Sequence, residues 1–356
     1  MADGKLLVYL VCRALGLFRL ARWLTRRNLK ILCYHGFELD NETQFRPKLF
    51  IDRARFEQRL AAIKHYGLRV LPLDDAVQRL FAGTLPDHTM VITIDDGFHS
   101  VYRVAAPLLQ RHSFPATVYV TTYYVDHPHP IFRLVVQYMF WKTNRASFVA
   151  PAGVVPTLAR FDLADAAQRE RAVWAVIEHG EQRCTESERN ALSAEVGRLL
   201  DVPYDSIVAS RALHLMTPAE INTLADAGLT VELHTHRHVF SGDDRAAAVR
   251  EIRDNRAALD RLIQRTPNHF CYPSGLWTEP QWRWLDGLGV RSATTCLPGL
   301  NTAATPRYAL RRFLDGANIH QLEFEAALCG FSDLLRVIRE KLSNPWRLAR
   351  AESAPP

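Results

Sequence analysis

The chain has 356 residues, of which 48% are hydrophobic and 23% are charged. This is ordinary globular composition, which excludes extensive disorder, collagen-like repeats and a small scaffold held together by disulfides. The net charge of +6 is confined to residues 1–30, where seven basic residues accompany one aspartate. Because the rest of the chain is balanced in charge, we expect no nucleic-acid partner.

A basic amphipathic helix is predicted for residues 1–29. At about 100° per residue, apolar side chains share one face and several arginines lie opposite. The apolar face consists of Leu10, Ala14, Leu17, Ala21 and Leu24. The apolar run Leu6–Phe18 is interrupted by Arg13, is too short to span a bilayer and precedes no signal-peptide cleavage site. Two interpretations stay open: residues 5–30 lie on an anionic membrane surface, or the helix packs on the body of the protein.

The six cysteines do not show the C-x-x-C spacing of a metal site. Cys33, Cys271 and Cys296 lie in or beside apolar runs, where a free thiol behaves as a small hydrophobic side chain. Without a signal peptide, this usage favours the reducing cytoplasm. If the basic helix binds lipid, we expect the protein to be peripheral on the inner face of the membrane.

Short apolar strands alternate with helices over residues 30–126. Strands are predicted at Lys30–Tyr34, Arg69–Leu73, Met90–Ile94 and Thr117–Thr121. Residues 127–215 change to helical patterns and are interpreted as a helical insertion. The alternation returns over residues 216–330, with strands at Leu229–Leu233, His269–Tyr272, Val290–Thr295 and Tyr308–Phe313. This order predicts an α/β fold with a parallel sheet or barrel, whose active site gathers at the carboxyl ends of the strands. Residues 331–356 are predicted to form a C-terminal helix and tail.

Two motifs at predicted strand ends contain side chains of the kind that bind metal ions. Asp95 and Asp96 follow Met90–Ile94, and adjacent carboxylates are costly to hold together without a cation or a shared proton. His234 and His238 follow the strand Leu229–Leu233, and they can converge on one metal in either an extended or a helical segment. His236 lies between them and stays ambiguous.

A third motif, Tyr-Pro-Ser-Gly, follows the predicted strand at His269–Tyr272. A sharp turn here can aim a backbone N–H into a pocket, as an oxyanion donor must be aimed. Asp-Asp-Gly, His-Thr-x-x-His and Tyr-Pro-x-Gly, each at a strand end and in this order, together resemble the polysaccharide deacetylase family, also called NodB-homology or carbohydrate esterase family four. The resemblance covers about residues 32–312, and it implies a distorted (β/α)7 barrel with a helical insertion.

The resemblance also implies roles for individual residues. Asp95 is the expected general base, and Asp96, His234 and His238 are the expected ligands of a divalent metal, with zinc first and cobalt, nickel or manganese as alternatives. The substrate side of the site is expected to comprise the turn of the third motif, with its backbone N–H as oxyanion donor, and an aromatic platform for a sugar ring. These residues are Tyr272, Pro273, Ser274 and Trp277. For Trp277, Trp282 and Trp284 alike, packing in the core is the leading alternative.

The chain departs from the common family pattern at two places. Many members have arginine where this chain has Cys271, and many take the general acid from a late Leu-x-x-His motif that is not evident here. Arg312 is a candidate partner for Asp95, with a surface salt bridge as the alternative. His35 is the candidate acid, because the Tyr34-His35 start resembles a branch of the family in which an early histidine takes this role. A structural histidine is the alternative.

The expected function is metal-dependent removal of N-acetyl groups from an amino-sugar glycan. The glycan would be a polysaccharide or a lipid-linked oligosaccharide of surface polysaccharide biosynthesis. Two alternatives stay open. One is a deformylase or amidase acting on a lipid-linked amino sugar, and the other is a catalytically weak glycan-binding protein.

Overall fold

A computed structural model of the protein describes residues 2–155 and 160–343. The strands in these ranges are β1 (Lys30–Tyr34), β2 (Gly36–Phe37), β3 (Phe50–Ile51), β4 (Arg69–Val70), β5 (Thr89–Ile94), β6 (Thr117–Val120), β7 (Ser147–Val149), β8 (Arg160–Asp162), β9 (Thr230–Leu233), β10 (His269–Cys271), β11 (Ser292–Thr294) and β12 (Phe313–Leu314).

The α-helices in the same ranges are α1 (Ala2–Ala14), α2 (Leu17–Leu24), α3 (Glu42–Phe45), α4 (Arg53–His65), α5 (Leu73–Phe81), α6 (Ala106–His112), α7 (Tyr123–Asp126), α8 (Phe132–Lys142), α9 (Ala166–Arg183), α10 (Glu186–Leu200), α11 (Tyr204–Ser210), α12 (Pro218–Asp226), α13 (Arg245–Asp260), α14 (Trp282–Gly287), α15 (Gln321–Leu328) and α16 (Phe331–Ser343). A π-helical turn, Val101–Ala105, leads into α6, and two short 3₁₀ turns, Pro273–Gly275 and Glu279–Gln281, follow β10.

The principal sheet is parallel and has the strand order β11-β10-β9-β6-β5-β1-β12, with β4 beside the first residues of β5. The segment before β12 also reaches β11, because Leu310 forms a parallel bridge with Thr294. The seven ordered strands therefore curl into a distorted (β/α)7 barrel, as predicted. β1 and β5 are buried along their whole length, which explains why both read as continuous apolar runs.

Three predicted elements differ from the structure. The strand predicted at Arg69–Leu73 ends at Val70, because Pro72 caps α5, which begins at Leu73. The strand predicted at Tyr308–Phe313 pairs regularly only at Phe313–Leu314. The region predicted as a helical insertion contains α8 to α11 but also an antiparallel hairpin formed by β7 and β8.

The single helix predicted for residues 1–29 is also wrong. Gly16 adopts a left-handed conformation, with φ of 76°, and divides the segment into α1 and α2. The two helices pack against α15 and α16 through Tyr9, Phe18 and Ala21. Ala21, predicted on the apolar face, is therefore buried against the body, whereas Leu10 and Leu24 of the same predicted face are exposed.

The division of the chain at residues 29, 126, 215 and 330 stays our proposal for its segments. The tail predicted within residues 331–356 lies outside the described residues beyond position 343. Among the described helices, none combines the length and the apolar composition needed to cross a bilayer.

Candidate active site

The predicted site residues meet at the carboxyl edge of the barrel, because most of them follow the end of a parallel strand, whereas Arg312 directly precedes β12. His35 follows β1, Asp95 follows β5, His234 follows β9 and Tyr272 follows β10. The described chain has nine non-glycine residues with positive φ, and four of them lie here. These are Asp96, Thr235, His238 and Ser274. Backbone conformations of this kind are sparsely populated and concentrate at functional sites, where the surrounding structure holds them.

Asp96, His234 and His238 present three ligand atoms to one point. Asp96 Oδ1 lies 3.2 Å from His234 Nε2 and 3.4 Å from His238 Nε2, and the three ligand atoms all lie within 4.8 Å of one another. Desolvation lowers the pKa of His238 to about 4, so its imidazole is neutral at pH 7, as a metal ligand must be. Two imidazole nitrogens and one carboxylate oxygen are the donor set of a catalytic divalent metal, so these residues fit the predicted ion.

Hydrogen bonds fix both the ring and the backbone of the buried His234. Its Nδ1 lies 2.9 Å from the carbonyl oxygen of Cys271, which fixes Nδ1 as the protonated nitrogen and leaves Nε2 for a metal. Its backbone N–H donates to Asn255 Oδ1 at 3.0 Å. The Asn255 amide in turn donates to Val120 O and Thr122 Oγ1. Asn255 therefore ties the histidine to the neighbouring strand β6.

Other groups of possible ligands in the described chain share Asp95 instead of Asp96. They combine Asp95 with Cys33 and His35, or with His234 and Cys271. Both oxygens of Asp95 already accept hydrogen bonds from Arg312. A metal at Asp95 would have to compete with that guanidinium, so the group containing Asp96 is the better site.

Asp95 and Arg312 form a buried, two-pronged ion pair. Nη1 of Arg312 lies 2.7 Å from Asp95 Oδ1, and Nη2 lies 2.7 Å from Oδ2. Burial acts to raise the pKa of Asp95, but the charge and the hydrogen bonds of Arg312 outweigh it and hold this pKa well below its ordinary value. The remaining Arg312 donors reach Thr295 O, Thr93 Oγ1 and Cys271 Sγ. All five guanidinium N–H groups are thus used.

Two thiols also contact Asp95. Cys33 Sγ and Cys271 Sγ lie 3.4 Å and 3.3 Å from Asp95 Oδ2. Burial raises the pKa of the Cys33 thiol well above its ordinary value, so the thiol stays protonated and can donate a hydrogen bond to the carboxylate. Cys271 leaves room for Arg312 to reach Asp95 from the segment directly before β12, at the place where many family members carry the arginine itself.

His35 lies beside the same carboxylate. Its Nε2 is 3.8 Å from Asp95 Oδ2, and its side chain is 17% exposed. Its Nδ1 is buried without a hydrogen-bond partner among the described residues. The ring therefore borders the opening of the site and has an unused nitrogen.

The third motif forms a tight turn at the mouth of the site. Ser274 is exposed and left-handed, with φ of 57°, and follows the buried Pro273. The side chain of Tyr272 does not reach the mouth, because it is buried and its hydroxyl donates to the carbonyl oxygen of Tyr308 at 3.0 Å. Trp277 stacks against Tyr272 and Trp282, at ring-centroid distances of 6.0 and 5.5 Å. Trp277 therefore takes part in packing, the alternative kept for it, and a role as sugar platform stays a prediction.

The ambiguous His236 lies apart from the proposed metal ligands. Its Nδ1 is 2.9 Å from Thr122 Oγ1, and its carbonyl oxygen accepts from the backbone N–H of Tyr123. It belongs to none of the described groups of possible metal ligands.

Asn255 and Cys33 were missed from the sequence. Asn255 occupies the buried stripe of α13 with Ala248, Ile252 and Leu259, where an apolar residue is expected. A polar residue on such a stripe usually has a specific partner, and this was the available signal. Cys33 carried no signal beyond its place in an apolar strand.

A parallel barrel that gathers two imidazoles and a carboxylate beside a second, clamped carboxylate is typical of a metal-assisted hydrolase. The profile of the polysaccharide deacetylase family matches residues 82–145 and 176–293, just over half of the chain. The chain therefore belongs to the polysaccharide deacetylase family, whose members hydrolyse amide bonds. His35 and Arg312 lie outside the matched ranges.

Solved structures share the fold at low sequence identity. The Streptococcus pyogenes deacetylase PplD, in complex with acetate, is 17% identical, with a TM-score of 0.57 over 85% of this chain and 98% of that chain. IcaB from Ammonifex degensii is 17% identical, with a TM-score of 0.52 over 85% and 97%. A de-N-acetylase from Aggregatibacter actinomycetemcomitans is 14% identical, with a TM-score of 0.53 over 84% and 98%. No curated protein matches the chain.

Proposed function

We propose that the protein removes N-acetyl groups from the amino sugars of a surface glycan, either a polysaccharide or a lipid-linked oligosaccharide. The observation that carries this proposal is the convergence of Asp96, His234 and His238 next to an Asp95 that Arg312 orients. Among similar structures, one is described as a de-N-acetylase and PplD is recorded with acetate, the product that such a reaction releases.

In this proposal, Asp95 accepts the proton of the attacking water. Its depressed pKa keeps the carboxylate ionised at every physiological pH, and the two-pronged contact with Arg312 fixes the direction of its oxygens. A carboxylate with so low a pKa is a weak base. A divalent metal held by Asp96, His234 and His238, zinc in the first instance, would supply the Lewis acidity that makes water reactive near neutral pH.

The other two steps are assigned to residues at the mouth. The backbone N–H of the exposed turn at Ser274 stabilises the oxyanion of the tetrahedral intermediate. His35 protonates the departing amine, because its ring is partly exposed at the opening of the site and its Nε2 lies 3.8 Å from Asp95 Oδ2. After proton transfer, the amine of the sugar and a carboxylate leave as products.

We place the enzyme in the cytoplasm, at the inner face of the membrane, where precursors of surface glycans carry lipid-linked phosphate. Two features support this proposal. All six cysteines are free thiols, and the positive charge of the chain is concentrated in its first 30 residues.

The test is acid release from N-acetylglucosamine oligosaccharides by the zinc-loaded protein. We expect acetate from the wild type and a loss of about 1,000-fold or more in turnover for Asp95→Asn. Asp315→Asn is the matched control, because Asp315 is equally buried and is also paired with an arginine, Arg59, at 2.9 Å. That variant should lose stability but keep turnover.

The same assay distinguishes the alternatives. Formate from an N-formyl analogue, without acetate from the acetylated sugar, would identify a deformylase and overturn N-deacetylation. Oligosaccharide binding without release of any acid by the metal-loaded wild type would instead favour a glycan-binding protein.

A further inference from the structure

We propose that α1 and α2 bind the surface of an anionic lipid bilayer through an apolar face that the fold leaves uncovered. This hairpin face consists of eight large apolar side chains, each between 49% and 71% exposed: Leu7, Val8, Leu10, Val11, Leu15, Leu20, Trp23 and Leu24. Contiguous apolar surface of this kind on a folded protein marks an interaction site. The proposal concerns binding alone and does not depend on the catalytic activity.

The amphipathic pattern of α1 is reversed relative to a helix that faces water. Its two basic side chains point toward the body, where Lys5 pairs with Glu323 and Arg13 pairs with Glu325, each at 2.8 Å. Tyr9, between them on the same side, is buried. At about 100° per residue, the exposed apolar residues of α1 fall within an arc of roughly 160° on the opposite side. Between Gly4 and Ala14, that outward arc carries no charged side chain, which suits hydrocarbon better than water.

The outward side of α2 continues the same face. Leu20, Trp23 and Leu24 stand at helical spacings of three and four residues and are all more than half exposed. The guanidinium of Arg26 lies over the Trp23 ring, 4.7 Å from its centroid. Exposed tryptophan with arginine beside it is the combination expected at the level of lipid headgroups.

The charge around the hairpin face selects an anionic surface. Residues 4–30 contain seven basic residues and no acidic one. Arg19 and Arg27 are exposed next to the apolar side chains of α2. Each basic residue near an anionic membrane contributes about 1 kcal/mol to binding. Apolar insertion and charge therefore act together, as stable peripheral binding requires.

A second copy of the chain is a poorer occupant of the same face. Two copies meeting through this surface in a symmetric dimer would bring the basic residues of one copy near those of the other. Asp87, which lies 3.2 Å from Arg26 and 3.8 Å from Arg27, offsets only part of this charge. An anionic bilayer offers hydrocarbon to the apolar face and negative charge to the basic residues around it.

The hairpin is fixed to the body, so binding requires no local unfolding. The rings of Tyr9, Phe18 and Phe331 contact one another, with centroids 5.0 to 6.4 Å apart. Arg26 lies at the amino edge of the barrel, 3.2 Å from Asp87, which precedes β5. The catalytic residues lie at the carboxyl edge, so a bilayer against this corner leaves their opening uncovered.

The test is co-sedimentation of the full chain with vesicles of phosphatidylcholine containing 30% phosphatidylglycerol, compared with vesicles of phosphatidylcholine alone. We expect binding to the anionic vesicles that weakens with added salt. A triple variant, Leu20→Ser, Trp23→Ala and Leu24→Ser, should lower the partition coefficient at least tenfold. Its matched control is Trp174→Ala, because Trp174 is also exposed and lies under an arginine, Arg133, at 5.4 Å.

A charge-reversal pair tests the electrostatic part. Arg19→Glu with Arg27→Glu should abolish the preference for phosphatidylglycerol, whereas Arg171→Glu with Arg183→Glu, on exposed positions of α9, should not. All substituted side chains are exposed, so circular dichroism should show folded variants. Wild type that does not sediment with anionic vesicles would overturn the proposal. The proposal would also be overturned if analytical ultracentrifugation showed a wild-type dimer that becomes monomeric in the triple variant. The hairpin face would then be an interface with a second copy.

Discussion

Arg312 holds both oxygens of Asp95 at 2.7 Å, although the two residues are 217 positions apart. The pair is completely enclosed, with side-chain exposures of 0% and 3%. Planar guanidinium and carboxylate groups that meet in this way fix each other's orientation, which a point charge does not. The pair therefore defines the direction in which Asp95 can accept a proton.

Replacing this arginine should change both the rate and its pH dependence. Arg312→Lys keeps the charge but loses the paired contacts, and we expect turnover to fall about 100-fold with little change in KM. In Arg312→Met, the charge and the hydrogen bonds that chiefly offset burial are lost, so the pKa of Asp95 rises. Asp95 then becomes protonated at a higher pH, so the acid limb of kcat/KM should move upward. An unmoved acid limb in a folded variant would contradict the assigned role.

The control for these variants is the other buried pair, Arg59 and Asp315. Arg59→Lys should lower the free energy of unfolding, because Arg59 also donates to Ile319 O and Asp315. It should leave the pH profile unchanged. Loss of a buried partner costs about 3–5 kcal/mol, so stability must be measured for every variant beside its rate.

Metal content should depend on two of the three histidines in the second motif. A double variant, His234→Ala with His238→Ala, should contain no stoichiometric divalent metal after reconstitution. His236→Ala should keep it, because its ring contacts Thr122 and lies apart from Asp96. Metal at 100 times its Kd stabilises a fold by about 2.7 kcal/mol, so chelator should lower the Tm of the wild type and of His236→Ala but not of the double variant.

The parallel sheet was predictable because its alternating strands depend on local sequence, whereas the closed barrel was expected from the family resemblance, and the metal ligands stay a prediction. Apolar strands ending in Asp95, Asp96 and His234 carry both the periodicity and the motif. The contact between Arg312 and Asp95 was proposed only through the family resemblance, since nothing in the sequence fixes which residue crosses a closed barrel. The role of Asn255 was missed because a single polar residue in a helix does not reveal its partner.

Errors in the sequence analysis arose where long-range packing decides the outcome. The sugar platform at Trp277 stays a prediction, but the stacking of this ring on Trp282 depends on the turn between them, which the sequence does not show. The N-terminal helix was predicted as one element, because the sequence pattern does not show that Gly16 turns the chain back onto α15 and α16. The same packing determines which apolar residues of α1 and α2 stay exposed.

Gly275 should be intolerant of any side chain. It has a φ of 69°, and an added Cβ would lie 2.7 Å from Cys296 Cβ. In Gly275→Ala the turn must shift and move Ser274, so we expect turnover to fall at least tenfold. Gly228→Ala is the matched control, because Gly228 has a φ of 87° with no atom within 4 Å of the added Cβ. That variant should lose only about 1–2 kcal/mol for the left-handed backbone and keep turnover. Equal turnover in the two variants would exclude the turn from catalysis.

Asn255 should control metal affinity without touching the metal. Asn255→Ala leaves the backbone N–H of His234 buried without its acceptor and frees the histidine to move relative to β6. Groups that orient metal ligands change affinity by about 10- to 100-fold, and we expect a loss in that range in competition with a chromogenic chelator. Asn301→Ala is the matched control, because Asn301 is equally buried and also makes three hydrogen bonds, to Leu29 and Arg311. Both variants should lose stability, but only Asn255→Ala should bind metal more weakly. Equal affinities would mean that Asn255 supports the fold alone.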